Sequence, residues 1–342
     1  MPTIHDVAKH AGVGSITVSR VINNSGYLSK ETRARVEQAI AELGYVPNTL
    51  ARSLRSKRTN TLALVLTDIT NPFFTTLARG VEDAASKAGY TLIFCNSDES
   101  AMKESTYVNI LLQKQVDGFL LVPAQSKTTA IELIHSRAVP VVVIDRAVPG
   151  IAVDVVRCDS EEGAFQLTRL LLELGHRHIA CLCGPVGVST ADDRAAGFLR
   201  ALRSAGIAPG RDCILRGELS QEGGYLMAQQ ALRMAHKPSA LLAANNFITI
   251  GAMKAAQEAG ERVPEDIALV GFDDLPAAMV TFPFFTVAIQ PAYEMGRKAT
   301  EILLQRLKSH GAERQHEEVI FPTQIIVRRS SGDSVMGLHP IG

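Results

Sequence analysis

The chain has 342 residues, which suits two or three domains with substantial cores. Its 46% hydrophobic content is ordinary for a globular protein, and no apolar run is long enough to cross a bilayer, so a membrane-spanning protein is excluded. The 35 basic and 35 acidic side chains balance, but residues 1–60 hold nine basic and four acidic ones, a basic head suited to nucleic acid on an acidic body.

Two short helices are predicted at the start of the chain. Apolar residues recur at helical spacing over Ile4–Ala11, Thr3 can cap this helix, and Gly12 can end it. After a tight turn, a second helix carries three apolar residues on one face: Val18, Val21 and Ile22. Two short helices joined by a glycine-containing turn indicate a helix-turn-helix. Its second helix leaves side chains suited to base edges and phosphates off the buried face, namely Ser15, Ile16, Thr17, Ser19 and Arg20.

A third helix and a basic segment follow. Ser29 can cap the helix, Gly44 can end it, and its apolar face closes a three-helix core. Beyond Pro47, residues 48–60 can form a short helix and a polar linker, with apolar and basic residues on different sides. By composition alone, this segment could equally be a solvated basic tether.

Two motifs, TVSRVIN at 17–23 and YVPNTLARSL at 45–54, stand in an informative order and spacing. They resemble the DNA-binding head and hinge of the lactose/galactose-repressor (LacI/GalR) family of bacterial transcription factors. The resemblance implies a helix-turn-helix domain over residues 1–47 and a hinge helix and linker over 48–60. It also implies that Leu54 wedges between base pairs in the minor groove. The patterns and the resemblance together give these DNA-contacting residues: Thr3, Ser15, Ile16, Thr17, Ser19, Arg20, Asn23, Arg33, Asn48, Arg52, Leu54 and Arg55.

From Thr61 onward, apolar strands alternate with helices. The first series of strands is TLALVLTD, YTLIFCNSD, VDGFLLVPA and VPVVVIDR. The second begins after a helix at Ala164–Glu173 and comprises HIACLCGP, a strand near Cys213–Leu215, ALLAANN, IALVGFDD and FFTVAIQP, with a helix at Ile250–Ala259 within it. A last helix, Tyr293–Leu307, precedes two short strands. Near-continuous apolar runs bounded by helices predict parallel sheets buried on both faces.

The resemblance implies a periplasmic-binding-protein type I core of two doubly wound parallel-sheet lobes, so the predicted fold is an all-α head on an α/β core. Residues 61–342 are expected to form the effector-binding and dimerisation domain. Lobe 1 is predicted at about 61–160 and 291–322, and lobe 2 at about 161–290 and 323–342. The chain is expected to cross between the lobes near Ser160, Gln290 and Pro322.

Ligands of such sheets bind beyond the carboxyl ends of the strands. Nine polar or aromatic residues follow predicted strands or begin helices there: Asn71, Phe73, Phe74, Asp145, Arg146, Arg194, Asn245, Asp273 and Gln290. Each alone could be an ordinary turn or cap residue, whereas the set indicates a ligand cleft and resembles the ribose-type pattern of related repressors. Leu242 and Val188 are aligned with a stacking aromatic and an arginine of purine-responsive members. A monosaccharide or related polyhydroxylated metabolite is therefore favoured over a purine.

The sequence predicts a homodimeric regulator of double-stranded operator DNA, most simply a repressor of carbohydrate-metabolism genes controlled by a sugar-like effector. A periplasmic-type solute-binding protein would share the two lobes but not residues 1–60. An enzyme of the Rossmann class would need a phosphate loop and a catalytic set, and neither is recognisable. The five cysteines lack metal-ligand or redox spacing, so neither a metal nor a cofactor is expected. The polar start of the chain carries no signal-peptide pattern, which predicts a cytoplasmic protein without membrane association.

Overall fold

A computed structural model describes residues 2–46, 58–127, 129–210, 212–276, 282–309 and 315–332. The chain divides into two units, Met1–Thr59 and Asn60–Gly342. Four of the predicted DNA-contacting residues lie outside the described residues: Asn48, Arg52, Leu54 and Arg55.

The first unit contains three helices, α1 (Ile4–Ala11), α2 (Ser15–Ile22) and α3 (Lys30–Leu43). Thr3 caps α1 as predicted, because its hydroxyl accepts from the Asp6 amide while the Asp6 carboxylate accepts from the Thr3 amide at 2.8 Å. Gly12 ends α1 in the left-handed conformation, with a φ of 65°. The three helices bury a small common core: Val7, Ala8, Ala11, Val18, Val21, Val36 and Ala39.

The second unit alternates strands and helices. Its first part contains β1 (Thr61–Leu66), α4 (Pro72–Lys87), β2 (Thr91–Asn96), α5 (Ala101–Gln113), β3 (Gly118–Leu121), α6 (Ala130–Ser136), β4 (Val141–Ile144) and β5 (Asp154–Cys158). There follow α7 (Ser160–Glu173), β6 (Ile179–Cys183), α8 (Ser189–Ser204), β7 (Ile214–Arg216), α9 (Gln221–Leu232), β8 (Ala240–Ala243), α10 (Asn246–Glu258), β9 (Ala268–Phe272) and β10 (Thr286–Ile289). The last elements described are α11 (Ala292–Lys308), β11 (Glu318–Phe321), β12 (Gln324–Ile326) and a short 3₁₀ helix at Arg329–Ser331.

These strands form two six-stranded sheets, one in each lobe. The first has the order β11–β5–β4–β3–β1–β2, and all its neighbours are parallel. The second has the order β12–β10–β9–β8–β6–β7 and is parallel except for the antiparallel pair β10–β12. Helices α4 and α11 pack on one face of the first sheet, and α5 and α6 pack on the other. The predicted doubly wound architecture is therefore confirmed, with β12 as an antiparallel edge.

The chain passes between the two sheets three times, after β5, β10 and β11. Within lobe 1, helices α4 and α11 pack unusually closely. A Cβ atom on Gly80 of α4 would lie 2.0 Å from the carbonyl oxygen of Tyr293 in α11, and one on Gly296 would lie 2.2 Å from that of Leu77. Only glycine permits this close approach of the two backbones, which holds α4 against α11.

Strand β5 is absent from the elements predicted above. Only three of its residues are apolar, and Asp154 and Arg157 interrupt the pattern. Asp154 is nevertheless buried, because Arg306 donates to both its carboxylate oxygens at 2.7 and 2.6 Å. The partner that makes this strand possible lies far along the chain, so local periodicity does not reveal it. The predicted starts of α7 and α10 were also too late: these helices begin at Ser160 and Asn246.

Candidate DNA-binding surface and effector cleft

The second helix of the head presents a polar face that the first unit leaves uncovered. Val18 and Val21 face the core, whereas Ile16 is 71% exposed and Arg20 is exposed. Three further predicted contacts on α2 are half-buried: Ser15, Thr17 and Ser19. Asn23 follows the helix and donates to the Ser19 carbonyl oxygen at 2.7 Å, which fixes its amide against the last turn.

The loop after α2 brings further groups to the same end of the head. Its Ser25 amide donates to the Arg20 carbonyl oxygen at 3.0 Å. A Cβ atom on Gly26 would lie 3.7 Å from the Arg20 Cδ, so the loop runs beside the arginine stem. Tyr27 in this loop is 96% exposed and was not among the predicted contacts.

The remaining predicted contacts of the head lie on other elements. Arg33 lies in the first turn of α3, half-buried and 3.9 Å from the Glu37 carboxylate. The Thr3 hydroxyl donates to the Asp6 carboxylate at 2.7 Å, so its capping role occupies it in this structure.

All nine residues predicted for the effector site line one cleft between the lobes, at the carboxyl ends of the strands. With the lobes in this arrangement, the cleft has a cavity volume of about 40 Å³. Four further lining residues were not predicted: Asp68, Glu99, Thr190 and Leu219. Asp68 and Glu99 lie in loops that follow β1 and β2, so a search for polar residues after strand ends could have included them.

The start of α4 provides the aromatic part of the lobe 1 wall. Asn71 caps this helix, and its Oδ1 accepts from the Phe73 amide at 3.0 Å. The rings of Phe73 and Phe74 pack edge to face, with their centroids 5.0 Å apart. Asn71 Oδ1 also accepts from Asn246 Nδ2 of lobe 2 at 3.0 Å, so a buried hydrogen bond joins the two lobes beside the cleft.

Asp145 and Arg146 end β4 and form the charged part of the same wall. Asp145 has a φ of 69°, a left-handed conformation that aspartate tolerates better than most residues. Arg146 Nε lies 3.8 Å from Asp145 Oδ2, and its Nη1 and Nη2 each donate to a Glu99 carboxylate oxygen at 2.6 Å. Arg146 Nη1 donates in addition to the carbonyl oxygens of Pro123 and Ala124.

Lobe 2 contributes a second set of polar groups. Arg194 donates through Nη1 to the Ala244 carbonyl oxygen, and its guanidinium carbon lies 4.0 Å from the centre of the Phe272 ring. Asp273 Oδ1 accepts from Gln290 Nε2 at 2.9 Å. A separate residue, Asn245, caps α10 and donates to the carbonyl oxygen of a cleft residue, Leu219, at 3.2 Å.

Two carboxyl groups of the cleft, those of Asp145 and Asp273, are buried, and burial shifts their pKa values. Burial raises the pKa of Asp145 to about 6, against the opposing attraction of Arg146 and Arg194. Burial also raises the pKa of Asp273, while Arg194 and the Gln290 hydrogen bond act to lower it. Both groups would be stabilised in their charged forms by a ligand that donated hydrogen bonds to them.

Four buried polar atoms of cleft residues have no hydrogen-bond partner within the described part of the chain: Asp145 Oδ1, Gln290 Oε1, Arg146 Nε and Arg194 Nε. Two are acceptors and two are donors. Each unsatisfied group costs about 1–3 kcal/mol when it is buried. A molecule with several hydroxyl groups could satisfy both kinds at once, because a hydroxyl donates and accepts.

The structure corrects the sequence argument against a purine ligand. Leu242 lies within β8, is fully buried in the lobe 2 core, and does not line the cleft. Val188 precedes α8 and is buried in the same core. The apolar side chain of lobe 2 that does line the cleft is Leu219. Every residue of β8 is buried in the core, and the residue of this segment that lines the cleft is Asn245, beyond the carboxyl end of the strand.

Within the described ranges, no group of three or more metal-ligating side chains is found. No described helix is both long and apolar enough to span a membrane.

Both parts of the chain match known families. Residues 3–48 match the bacterial regulatory proteins of the lacI family. Residues 59–328 match the family of periplasmic binding proteins and the sugar-binding domain of the LacI family. The chain belongs to the LacI family. The resemblance seen in the two sequence motifs therefore extends through both folded units.

Named relatives within the LacI family agree in length with this chain. The ribose operon repressor of Halalkalibacterium halodurans is 37% identical over 331 residues, covering 97% of each protein. The PurR repressor of Erwinia tasmaniensis is 38% identical over 335 residues, covering 97% of this chain and 98% of PurR. A solved lac repressor dimer, bound to operator and the anti-inducer ONPF, superposes with a TM-score of 0.84 at 27% identity, covering 96% of this chain and 99% of the other. These relatives are transcriptional regulators.

Proposed function

We propose that this LacI-family protein is a homodimeric repressor of carbohydrate-metabolism genes, and that a small sugar or sugar derivative in the cleft sets its affinity for operator DNA. Its relatives support this proposal, since they include a ribose operon repressor and a lac repressor dimer bound to operator. No catalytic step belongs to the proposal. A protein acting on chromosomal operators in this way works in the cytoplasm.

The observation that carries the sugar proposal is the set of unpartnered donors and acceptors beside two aromatic rings. Sugar hydroxyls would pair with Asp145, Arg194 and Gln290, while the apolar face of the sugar ring would contact Phe73 and Phe74. Because these groups come from both lobes and from a crossing segment, a bound sugar would favour the closed arrangement of the lobes. Preferential binding to one arrangement is how an effector shifts the population that binds DNA.

A purine is the second candidate effector. The PurR relative of Erwinia tasmaniensis supports it, and the Phe73–Phe74 pair could stack on a base. The two candidates differ in the hydrogen bonds that they require, since a purine base has no hydroxyl groups.

A thermal-shift screen of the purified protein against sugars and nucleobases distinguishes them, because a ligand that binds only the folded state raises its melting temperature. We expect stabilisation by a sugar and none by hypoxanthine or guanine. The Asp145→Asn variant should lose the sugar-dependent shift while remaining folded. If a nucleobase stabilised the protein and no sugar did, the effector would be a purine instead of a sugar.

We propose that the head contacts base edges through the polar face of α2, and that the twelve residues named above form the DNA-binding set. Leu54 carries a separate part of this proposal, insertion into a base step of the operator. A DNA-bending assay with Leu54→Ala tests it, and the variant should retain sugar binding but bend the operator less. An unchanged bend angle would assign the segment a tethering role.

A further inference from the structure

We propose that Glu99 is a specificity-determining residue that makes the cleft reject anionic ligands, so that the effector is an unphosphorylated, uncharged sugar. This inference rests on the proposed function for the identity of the site. It concerns a residue that no strand-end pattern had selected. Glu99 acts by neutralising the arginine that a phosphate group would otherwise use.

The pairing of Glu99 with Arg146 is complete. Both carboxylate oxygens accept from the guanidinium at 2.6 Å, one from Nη1 and one from Nη2. Arg146 is 2% exposed, whereas the Glu99 side chain is 33% exposed, so the carboxylate lies on the open side of the pair. A bidentate arginine–carboxylate pair has the same geometry as an arginine–phosphate pair, so Glu99 occupies the position that an anionic ligand would need.

The loop that carries Glu99 is held in an unusual conformation. Asp98 and Glu99 have φ angles of 51° and 54°, two consecutive left-handed residues. Such a conformation costs free energy for a residue other than glycine, asparagine or aspartate and persists where surrounding contacts impose it. Here the Glu99 amide donates to the Thr67 carbonyl oxygen, and Asp98 pairs with Lys103. The backbone hydrogen bond to Thr67 fixes the position of Glu99 beside Arg146.

The other charged residues of the cleft also disfavour an anionic ligand. Its lining contains four acidic residues, Asp68, Glu99, Asp145 and Asp273, and two arginines. Arg194, the second arginine, donates to a backbone carbonyl oxygen and lies over the Phe272 ring. An incoming phosphate would therefore meet an excess of negative charge, and the only buried nitrogen atoms of these arginines without a hydrogen-bond partner among the described residues are the two Nε atoms. Sugar hydroxyl groups carry no charge and do not meet this repulsion.

Neutralising Glu99 should convert this selectivity into anion binding. In Glu99→Gln the side chain keeps its length, but Arg146 loses its bidentate ionic partner and keeps only the more distant Asp145 carboxylate, 3.8 Å from its Nε. We expect inorganic phosphate to raise the melting temperature of Glu99→Gln and to leave that of the wild type unchanged at matched ionic strength. D-Ribose 5-phosphate should bind the variant about tenfold or more tightly than it binds the wild type.

Two further variants complete the experiment. Asp98→Asn removes a neighbouring carboxylate that pairs with Lys103 instead of Arg146, and it should behave like the wild type towards phosphate. Glu99→Asn tolerates the left-handed backbone and is too short to pair with Arg146, so it should reproduce the phosphate response if Glu99→Gln folds poorly. Phosphate stabilisation of the wild type, or its absence in both Glu99 variants, would overturn the inference. D-Ribose titrated in parallel reports on the proposed function, because its binding does not depend on the phosphate result.

Discussion

The Asp145 carboxyl group should make this protein less stable without its effector as the pH rises. It lies at the end of β4, is buried, and has one carboxylate oxygen without a partner in the described structure. We expect Asp145→Asn to remove this pH-dependent loss of stability. Asparagine has the same shape and tolerates the left-handed φ of 69°, so the backbone should not change.

The magnitude follows from the pKa of this group. Burial raises the pKa of Asp145 from 3.8 to about 6 in the folded protein, so the folded state holds this proton more tightly than the unfolded state. Unfolding releases the proton between these two values, and the stability contributed by this group therefore falls as the pH rises through about 6. At 1.36 kcal/mol per pH unit, the full loss is about 3 kcal/mol, of which about 2 kcal/mol falls between pH 4.5 and 7.5.

Urea unfolding of the wild type and Asp145→Asn across this pH range measures the effect. The free energy of unfolding of the variant, relative to the wild type, should rise by about 2 kcal/mol from pH 4.5 to 7.5. Taking the difference between the proteins cancels the other titrating groups that they share. A difference that stays constant with pH, or falls, would refute the reasoning that burial of Asp145 dominates its titration.

Three other predictions address the cleft, the interlobe contact and the head. Asp273→Asn should weaken sugar binding, measured by calorimetry, about tenfold or more, because it removes a charged acceptor from the cleft. The control is Asp274→Asn, since the Asp274 carboxylate pairs with Arg328 and does not line the cleft; this variant should lower stability and leave sugar affinity unchanged. Asn246→Asp should open the lobes of the sugar-free protein, because a carboxylate would face the Asn71 oxygen; an unchanged radius of gyration in X-ray scattering would contradict this. Arg20→Ala should relax base preference by about 1–3 kcal/mol, whereas Arg33→Ala should weaken binding to operator and random DNA alike; equal losses for both variants in anisotropy titrations would disprove the assignment.

The fold was accessible from the sequence because its signals are local. Helical periodicity and caps such as Thr3 and Gly12 define α1, and uninterrupted apolar runs define most strands of the two sheets. Strand β5 was missed for the opposite reason. Its buried Asp154 depends on Arg306, and such distant pairing leaves no mark on local periodicity.

The cleft was predicted in outline because strand ends bring polar residues to one edge of a sheet. The orientation and partners of those side chains could not be read in the same way. Glu99 lines the cleft because its loop takes two left-handed residues, and Asn246 matters because its amide reaches Asn71 in the other lobe. Leu242 was misassigned because it lies within β8, which is buried on both faces, whereas the cleft is lined by Asn245 beyond the carboxyl end of that strand.

The central claim is that one chain couples a sugar in the cleft to operator binding by the head. The most direct measurement selects a preferred DNA sequence from a random pool and titrates it with protein, with and without the sugar found by thermal shift. We expect a sequence preference over random DNA, and a change in operator affinity of about 5- to 150-fold when the sugar is saturating. A sugar that binds the cleft of the wild type but leaves operator affinity unchanged would contradict the account.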